Sequence, residues 1–165
     1  MLGRTYDSQV CSIARALEVV GERWSLLILR DAVFAGVTRF GDFQHNLGIA
    51  TNVLQARLDA FVDGGLMVRR EVEGQAKLSE YVVTEMGRDL TPTLVALTEW
   101  GDRWAAPGEP PILYRHDGCA EPVHAHAVCD SHGRVDPADV HVTLGPGMPA
   151  AYVANRRPRR DQSGS

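Results

Sequence analysis

A mainly α chain with a small β-hairpin wing, an α+β class, is predicted by the order of elements between Arg39 and Val83. A short amphipathic segment, a Gly-Ile turn and a second amphipathic segment lead there into a hairpin with a polar tip. This is the pattern of a winged helix-turn-helix, in which the second helix enters the DNA major groove and the hairpin lies over the flanking backbone. Size agrees with it: 165 residues, 44% of them hydrophobic, suffice for one core with a small appendage. The expected organisation is a DNA-binding and dimerisation domain over 1–104, a linker over 105–111, a Cys/His-containing extension with β character over 112–154, and a basic disordered tail over 155–165.

Asp7 or Ser8 is an N-cap candidate for a first helix of about three turns, with Ile13, Leu17 and Val20 at helical spacing and Gly21 at its end. Trp24, Leu27, Ile28 and Phe34 form the apolar stripe of a second helix closing before Gly36. Phe40, Phe43 and Leu47 bury one face of a third, while Asp42 and Gln44 face out. Gly48 provides the turn at no steric cost if a positive φ is needed.

In the fourth helix Val53, Leu54, Leu58, Phe61 and Val62 form the buried face, so Thr51, Asn52, Gln55, Ala56 and Asp59 project on the other side. Asn and Gln side chains offer a paired donor and acceptor to an adenine edge, worth roughly 1–3 kcal/mol of discrimination per well-formed pair. Asn52 and Gln55 are therefore the candidates for base reading; a merely solvated polar face is the alternative. Gly64 and Gly65 end the helix. Leu66 to Val72 and Leu78 to Val83 alternate as strands around the polar tip Glu73-Gly74-Gln75-Ala76-Lys77. Thr84 can cap a long fifth helix, which Pro92 should kink or restart by deleting a backbone donor. Its stripe of Leu90, Leu94, Leu97 and Trp100 or Trp104 is longer than one small core needs, which predicts a homodimer. Two-fold symmetry then predicts an inverted-repeat operator in double-stranded DNA.

These residues resemble a known family. Cys11, Ala16-Leu17 and the run Gly21 to Arg30 are similar to the opening signature of HxlR-type (MarR-like) winged-helix transcriptional regulators. So are Arg39 to Phe43, Gly48-Ile49, Val53 to Leu58, Gly65-Leu66 and Tyr81 to Arg88, the whole spanning roughly residues 11 to 101. The resemblance implies a dimeric bacterial repressor or activator whose first and last helices build the subunit interface. It implies DNA contacts from Thr51, Asn52, Gln55 and Arg57 in the recognition helix and from Gln75 and Lys77 in the wing, and Arg39 is a further candidate contact as part of the local basicity. Ala50 and Thr51 stand where the family usually has a capping Ser and a Pro, and Asn52 where Lys is common, which points to a helix start at Thr51.

For Cys11 two readings stand side by side. Near the first turn of a helix the dipole favours a thiolate, Arg15 lies four residues later on the same face, and the resemblance implies a cysteine that responds to oxidants or electrophiles. The alternative is a small buried hydrophobe at the dimer interface.

Beyond the linker, five of the six histidines and two of the three cysteines fall between His116 and His141. His116 and Cys119 are separated by two residues, as are Cys129 and His132, with nine residues between the pairs. Two thiolates and two imidazoles suit tetrahedral Zn²⁺ as a structural cofactor; an unmetallated hairpin extension is the alternative. His124 and His126 alternate as on a strand, either as substitute ligands or as surface residues.

The formal charge of −4 demands that any phosphate-binding surface be local. Arg156, Arg157, Arg159 and Arg160 in the tail are a candidate source, against the alternative, which the composition favours, of a solvated tail without function. Three cysteines argue against a disulfide scaffold, and neither a membrane span nor a secretory leader is evident, so the expected compartment is the cytoplasm. The expectation is a regulator, not an enzyme. Its competitors are a winged-helix protein-interaction module and a small metal-dependent enzyme built on the His/Cys cluster, though no nucleophile elbow or phosphate-cradling loop appears.

Overall fold

The computed structural model describes Tyr6 and residues 9–72, 78–106 and 108–154. Four helices come first: α1 (Ser12–Val20), α2 (Ser25–Phe34), α3 (Phe40–Leu47) and α4 (Thr51–Asp63). Strands β1 (Met67–Glu71) and β2 (Ser79–Val83) form the antiparallel wing, in a register that sets Met67 opposite Val83 and Arg69 opposite Tyr81. Then come α5 (Glu85–Arg88), α6 (Thr91–Trp104), the hairpin β3 (Val128–Cys129) and β4 (Gly133–Arg134), a 3-10 turn at Pro137–Asp139, and α7 (Ala150–Ala154). The mainly helical winged architecture is as predicted.

One core joins helices α1 through α4, the two wing strands and α6. Ile28 and Leu29 of α2, Phe43 of α3 and Leu54, Leu58 and Phe61 of α4 are fully or almost fully buried, joined by Leu66, Met67, Tyr81, Val83 and Leu94. Each of the large aliphatic and aromatic side chains contributes about 1.5–3 kcal/mol by leaving water.

Several boundaries differ from expectation. The first helix begins at Ser12 with Cys11 as its N-cap residue, in extended conformation; Asp7 and Ser8 lie outside the described residues. Ile13 and Leu17 do not face the core, because Ala14 and Val20 are the residues α1 buries. In α2 the buried face is Ser25, Ile28, Leu29, Asp31 and Ala32, while Leu27 and Phe34 are exposed. With apolar side chains nearly all round α2, spacing alone could not choose the face. The predicted fifth helix is two helices. Thr84 caps α5, its Oγ1 accepting from the Gly87 amide at 3.3 Å, and Pro92 sits in the first turn of α6, where its missing donor costs nothing.

The junction of α4, wing and α5 is tight. The Thr84 hydroxyl donates to the carbonyl of Gly65 at 2.7 Å, and the Thr84 amide donates to that of Leu66 at 2.9 Å. Gly87 lies against the same turn: a Cβ there would stand 2.5 Å from the Leu66 carbonyl oxygen and 2.6 Å from Val83 Cγ2. Gly87→Ala should therefore destabilise the domain by about 1–3 kcal/mol through overpacking, read as a lowered urea midpoint with an unchanged slope.

Candidate nucleic-acid interface

The α3–turn–α4 unit is built around Gly48, whose φ of 60° and ψ of 26° place it in the left-handed region that L side chains rarely adopt. Its amide donates to the Gln44 carbonyl at 3.0 Å and closes α3. Ala50 is the N-cap residue of α4 and offers no side-chain cap, so α4 starts at Thr51, as the departure from the family pattern suggested. Gln44 bridges the turn: its Nε2 donates to Thr51 Oγ1 at 2.7 Å, holding the start of α4 to the last turn of α3.

Thr51 and Asn52 are exposed on the first turn of α4, with Gln55 half-buried beside them. Gln55 Nε2 donates to Asp59 Oδ1 at 2.8 Å and reaches Tyr81 Oη at 3.4 Å. Tyr81, only 3% exposed on β2, thus ties the polar face of α4 to the wing. The Tyr81 amide takes the Thr38 carbonyl at 2.7 Å, and Arg39 pairs as a bridge with Glu80, its Nε 3.7 Å from Glu80 Oε1. The Arg69 guanidinium lies over the Tyr81 ring, 5.9 Å from its centroid.

The structure brings Thr51, Asn52 and Gln55 together and sets Arg57 apart. Helical spacing puts Arg57 on the opposite flank of α4, where it is 25% exposed and its Nη1 stands 3.7 Å from Glu22 Oε2. Gln75 and Lys77, and the tail arginines, lie outside the described residues. Two positioning residues were missed in sequence. Gln44 was read only as an outward-facing side chain, whereas the inward alternation of Tyr81 and Val83 on β2 was available as a signal for Tyr81.

Cys11 is exposed in the single chain, at the N-cap position of α1, as both readings of it allow. Arg15 does not stand ready to serve its thiol alone: the guanidinium holds Glu18 at 2.8 Å and the carbonyls of Tyr6 and Gln9.

The extension packs on the helical domain. The Tyr114 ring lies 4.3 Å from that of Phe34 at the end of α2, and its Oη is 3.1 Å from Thr98 Oγ1 on α6. His124 Nδ1 meets Glu99 Oε1 at 2.6 Å, and the Ala125 amide donates to Glu99 Oε2 at 3.2 Å. The residues around His124 and His126 form no strand, contrary to expectation; their rings stack 5.8 Å apart. An open cleft between α6 and the extension is lined by Glu99, Asp102, His124, His126 and Arg134. His116 and Cys119 form one close pair and Cys129 and His132 another, but the structure does not bring the pairs together. Among the described residues no three His, Cys, Asp or Glu side chains form a group fit for a metal ion.

A reading helix and wing admit more than one use, and relatives decide between them. Residues 19–109 match the family model of the HxlR-like helix-turn-helix. The chain belongs to the HxlR-like helix-turn-helix family. A relative from Mycobacterium tuberculosis, described as an uncharacterized HTH-type transcriptional regulator, is 43% identical over 146 residues, 87% of this chain and 92% of its own length. The crystal structure of PA1607, described as a candidate transcription factor, superposes with a TM-score of 0.75 at 37% identity, covering 85% of this chain and 99% of that one. That share exceeds what residues 1–104 can supply, so the likeness takes in part of the extension. The redox regulator HypR in its reduced form matches with a TM-score of 0.50 at 29% identity, over 55% of this chain and 90% of that one. This HxlR-like protein is accordingly a DNA-binding transcriptional regulator rather than an enzyme, and no described helix is long and apolar enough to cross a membrane. Cys11 precedes the residues that match the family model.

The Glu99 clasp has a defined pH sense. Partial burial pushes the Glu99 carboxyl up, but the His124 hydrogen bond, the Ala125 amide and the charges of His124 and His126 outweigh it and leave the carboxyl below its ordinary 4.5. A folded-state value below the unfolded one adds stability that is fully present above the unfolded value and lost as pH falls through the folded one. Acid titration followed by tryptophan fluorescence should show the wild type losing stability below about pH 4.5 more steeply than Glu99→Gln does.

Proposed function

We propose that this HxlR-like chain acts as a homodimer that reads an inverted-repeat operator, each protomer placing Thr51, Asn52 and Gln55 in the major groove. The observation that carries this reading is the exposed polar start of α4, braced from one side by Gln44 on Thr51 and from the other by Tyr81 on Gln55. A solvated helix face needs no such bracing; a reading face does, because base discrimination requires donors and acceptors held in place. Arg39 beside the wing supplies contacts to flanking phosphates, as do Gln75 and Lys77. Arg57 serves the fold through Glu22 rather than the bases.

Dimerisation is supported by what the single chain leaves uncovered. Ile13 (70% exposed) and Leu17 on α1, and Leu97, Trp100 and Trp104 (69%) on α6, are apolar side chains in water. A second copy meeting them about a two-fold axis sets two α4 helices one DNA turn apart. Exposed Cys11, at the start of the same α1, supplies an oxidant-responsive thiol whose modification changes that interface; likeness to a redox regulator supports this assignment. The site of action is the bacterial cytoplasm, where the DNA is.

Selection from random DNA with reduced protein should recover an inverted repeat. Asn52→Ala should then weaken operator binding by about 1–3 kcal/mol, roughly 5- to 150-fold, and relax one base position per half-site, while non-specific binding stays unchanged. Equal loss on operator and random DNA, or tight binding to a single half-site by a monomer in sedimentation, overturns the reading.

A further inference from the structure

The extension poses a folding problem. None of its described residues from Ile112 to Ala154 is buried, and its regular pieces are two-residue strands, one 3-10 turn and a five-residue helix. Hydrophobic burial of this kind does not hold so small a unit in shape; a covalent or metal staple usually does.

The two turns that carry its soft ligands share one geometry. At the first, the amides of Cys119 and Ala120 donate back to the His116 carbonyl at 3.2 and 2.7 Å, and Arg115 pairs with Pro122 below the turn. Ala120, the residue after the second ligand, has φ +58°, and is the only non-glycine with a positive φ among the described residues. The Arg115 guanidinium clamps the Ala120 carbonyl at 2.7 Å. At the second, the His132 amide donates to the Cys129 carbonyl at 3.2 Å on the β3–β4 hairpin, and Gly133, again the residue after the second ligand, has φ +69°. A left-handed residue costs Ala free energy and Gly almost none, so its recurrence at the same place in two turns is a built feature.

The side chains match as well. Cys119 Sγ lies 3.4 Å from His116 Nδ1, and Cys129 Sγ lies 3.4 Å from His132 Nδ1. Zn–S bonds of about 2.3 Å and Zn–N bonds of about 2.0–2.1 Å at a tetrahedral angle put S and N about 3.5 Å apart. Each pair therefore already spans one edge of a zinc tetrahedron. Gly118 makes the first edge attainable, since a Cβ there would meet His116 Cε1 at 2.9 Å.

We propose that His116, Cys119, Cys129 and His132 bind one structural Zn²⁺, the two knuckle-bearing hairpins closing on the ion from opposite edges of its tetrahedron. Nine residues separate Cys119 from Cys129. Binding joins the two pairs on one ion, with release of the two thiol protons to solvent. Two thiolates with two imidazoles favour zinc over harder ions, and four protein ligands leave no open position for catalysis. The site is independent of the DNA-reading face.

The test uses the untagged full chain, reduced and stripped with a chelator, titrated with Co²⁺ and then Zn²⁺. The expected result is a tetrahedral cobalt spectrum with a thiolate charge-transfer band that saturates at about one ion per chain and is displaced by Zn²⁺. The Cys119→Ser/Cys129→Ser double variant should lose the band while keeping its far-ultraviolet circular dichroism, and Zn²⁺ should slow proteolysis beyond residue 105 in the wild type only. Absence of the band, its persistence in the double variant, saturation at two ions per chain, or a Cys119–Cys129 disulfide that confers the same protection without metal overturns the proposal.

Discussion

Tyr81 is the side chain through which the reading unit is assembled. Its ring is buried in the core, its amide holds the Thr38 carbonyl ahead of α3, and its hydroxyl reaches Gln55 on the exposed side of α4. Three elements distant in sequence are thereby referred to one rigid group. Gln44 and Gly48 complete the arrangement from the other side, one by a hydrogen bond across the turn and the other by a backbone conformation closed to most residues. What is held in place is polar rather than basic, in a chain of net charge −4 that belongs to a DNA-binding family.

The sequence made the order of elements legible because each depends on local rules. The Gly48 turn, the α4 start at Thr51, the Thr84 cap and the Pro92 restart all follow from backbone preferences acting over a few residues. Faces were harder. α2 is apolar on almost every side, so only the packing of α3, β2, α5 and α6 against it decides that Leu29 turns inward and Leu27 outward. The same holds for the site. Asn52 was recognisable from its position on an amphipathic helix, whereas the bracing of Gln55 by Tyr81 joins residues 26 apart and leaves no mark at helical or strand spacing. Arg57 was placed among the DNA contacts by resemblance alone, and its ion pair with Glu22, from the turn before α2, left no mark in the spacing.

The extension illustrates a second limit. Its composition suggested a unit set off by a linker, yet Glu99, Phe34 and Thr98 hold it against the helices. Nothing in the spacing of His124 or Tyr114 announces a partner that lies in another element.

Tyr114 also has a mechanical consequence. It stacks on the last residue of α2 and hydrogen-bonds the middle of α6, so it sits as a chock between the helix at the centre of the reading domain and the helix that leads away from it. Neither helix can slide past the other without unseating the ring, and interlocked side chains resist small displacements until they give way together. The extension is thus more than a passenger. It stiffens a joint between α6 and the helix at the centre of the domain.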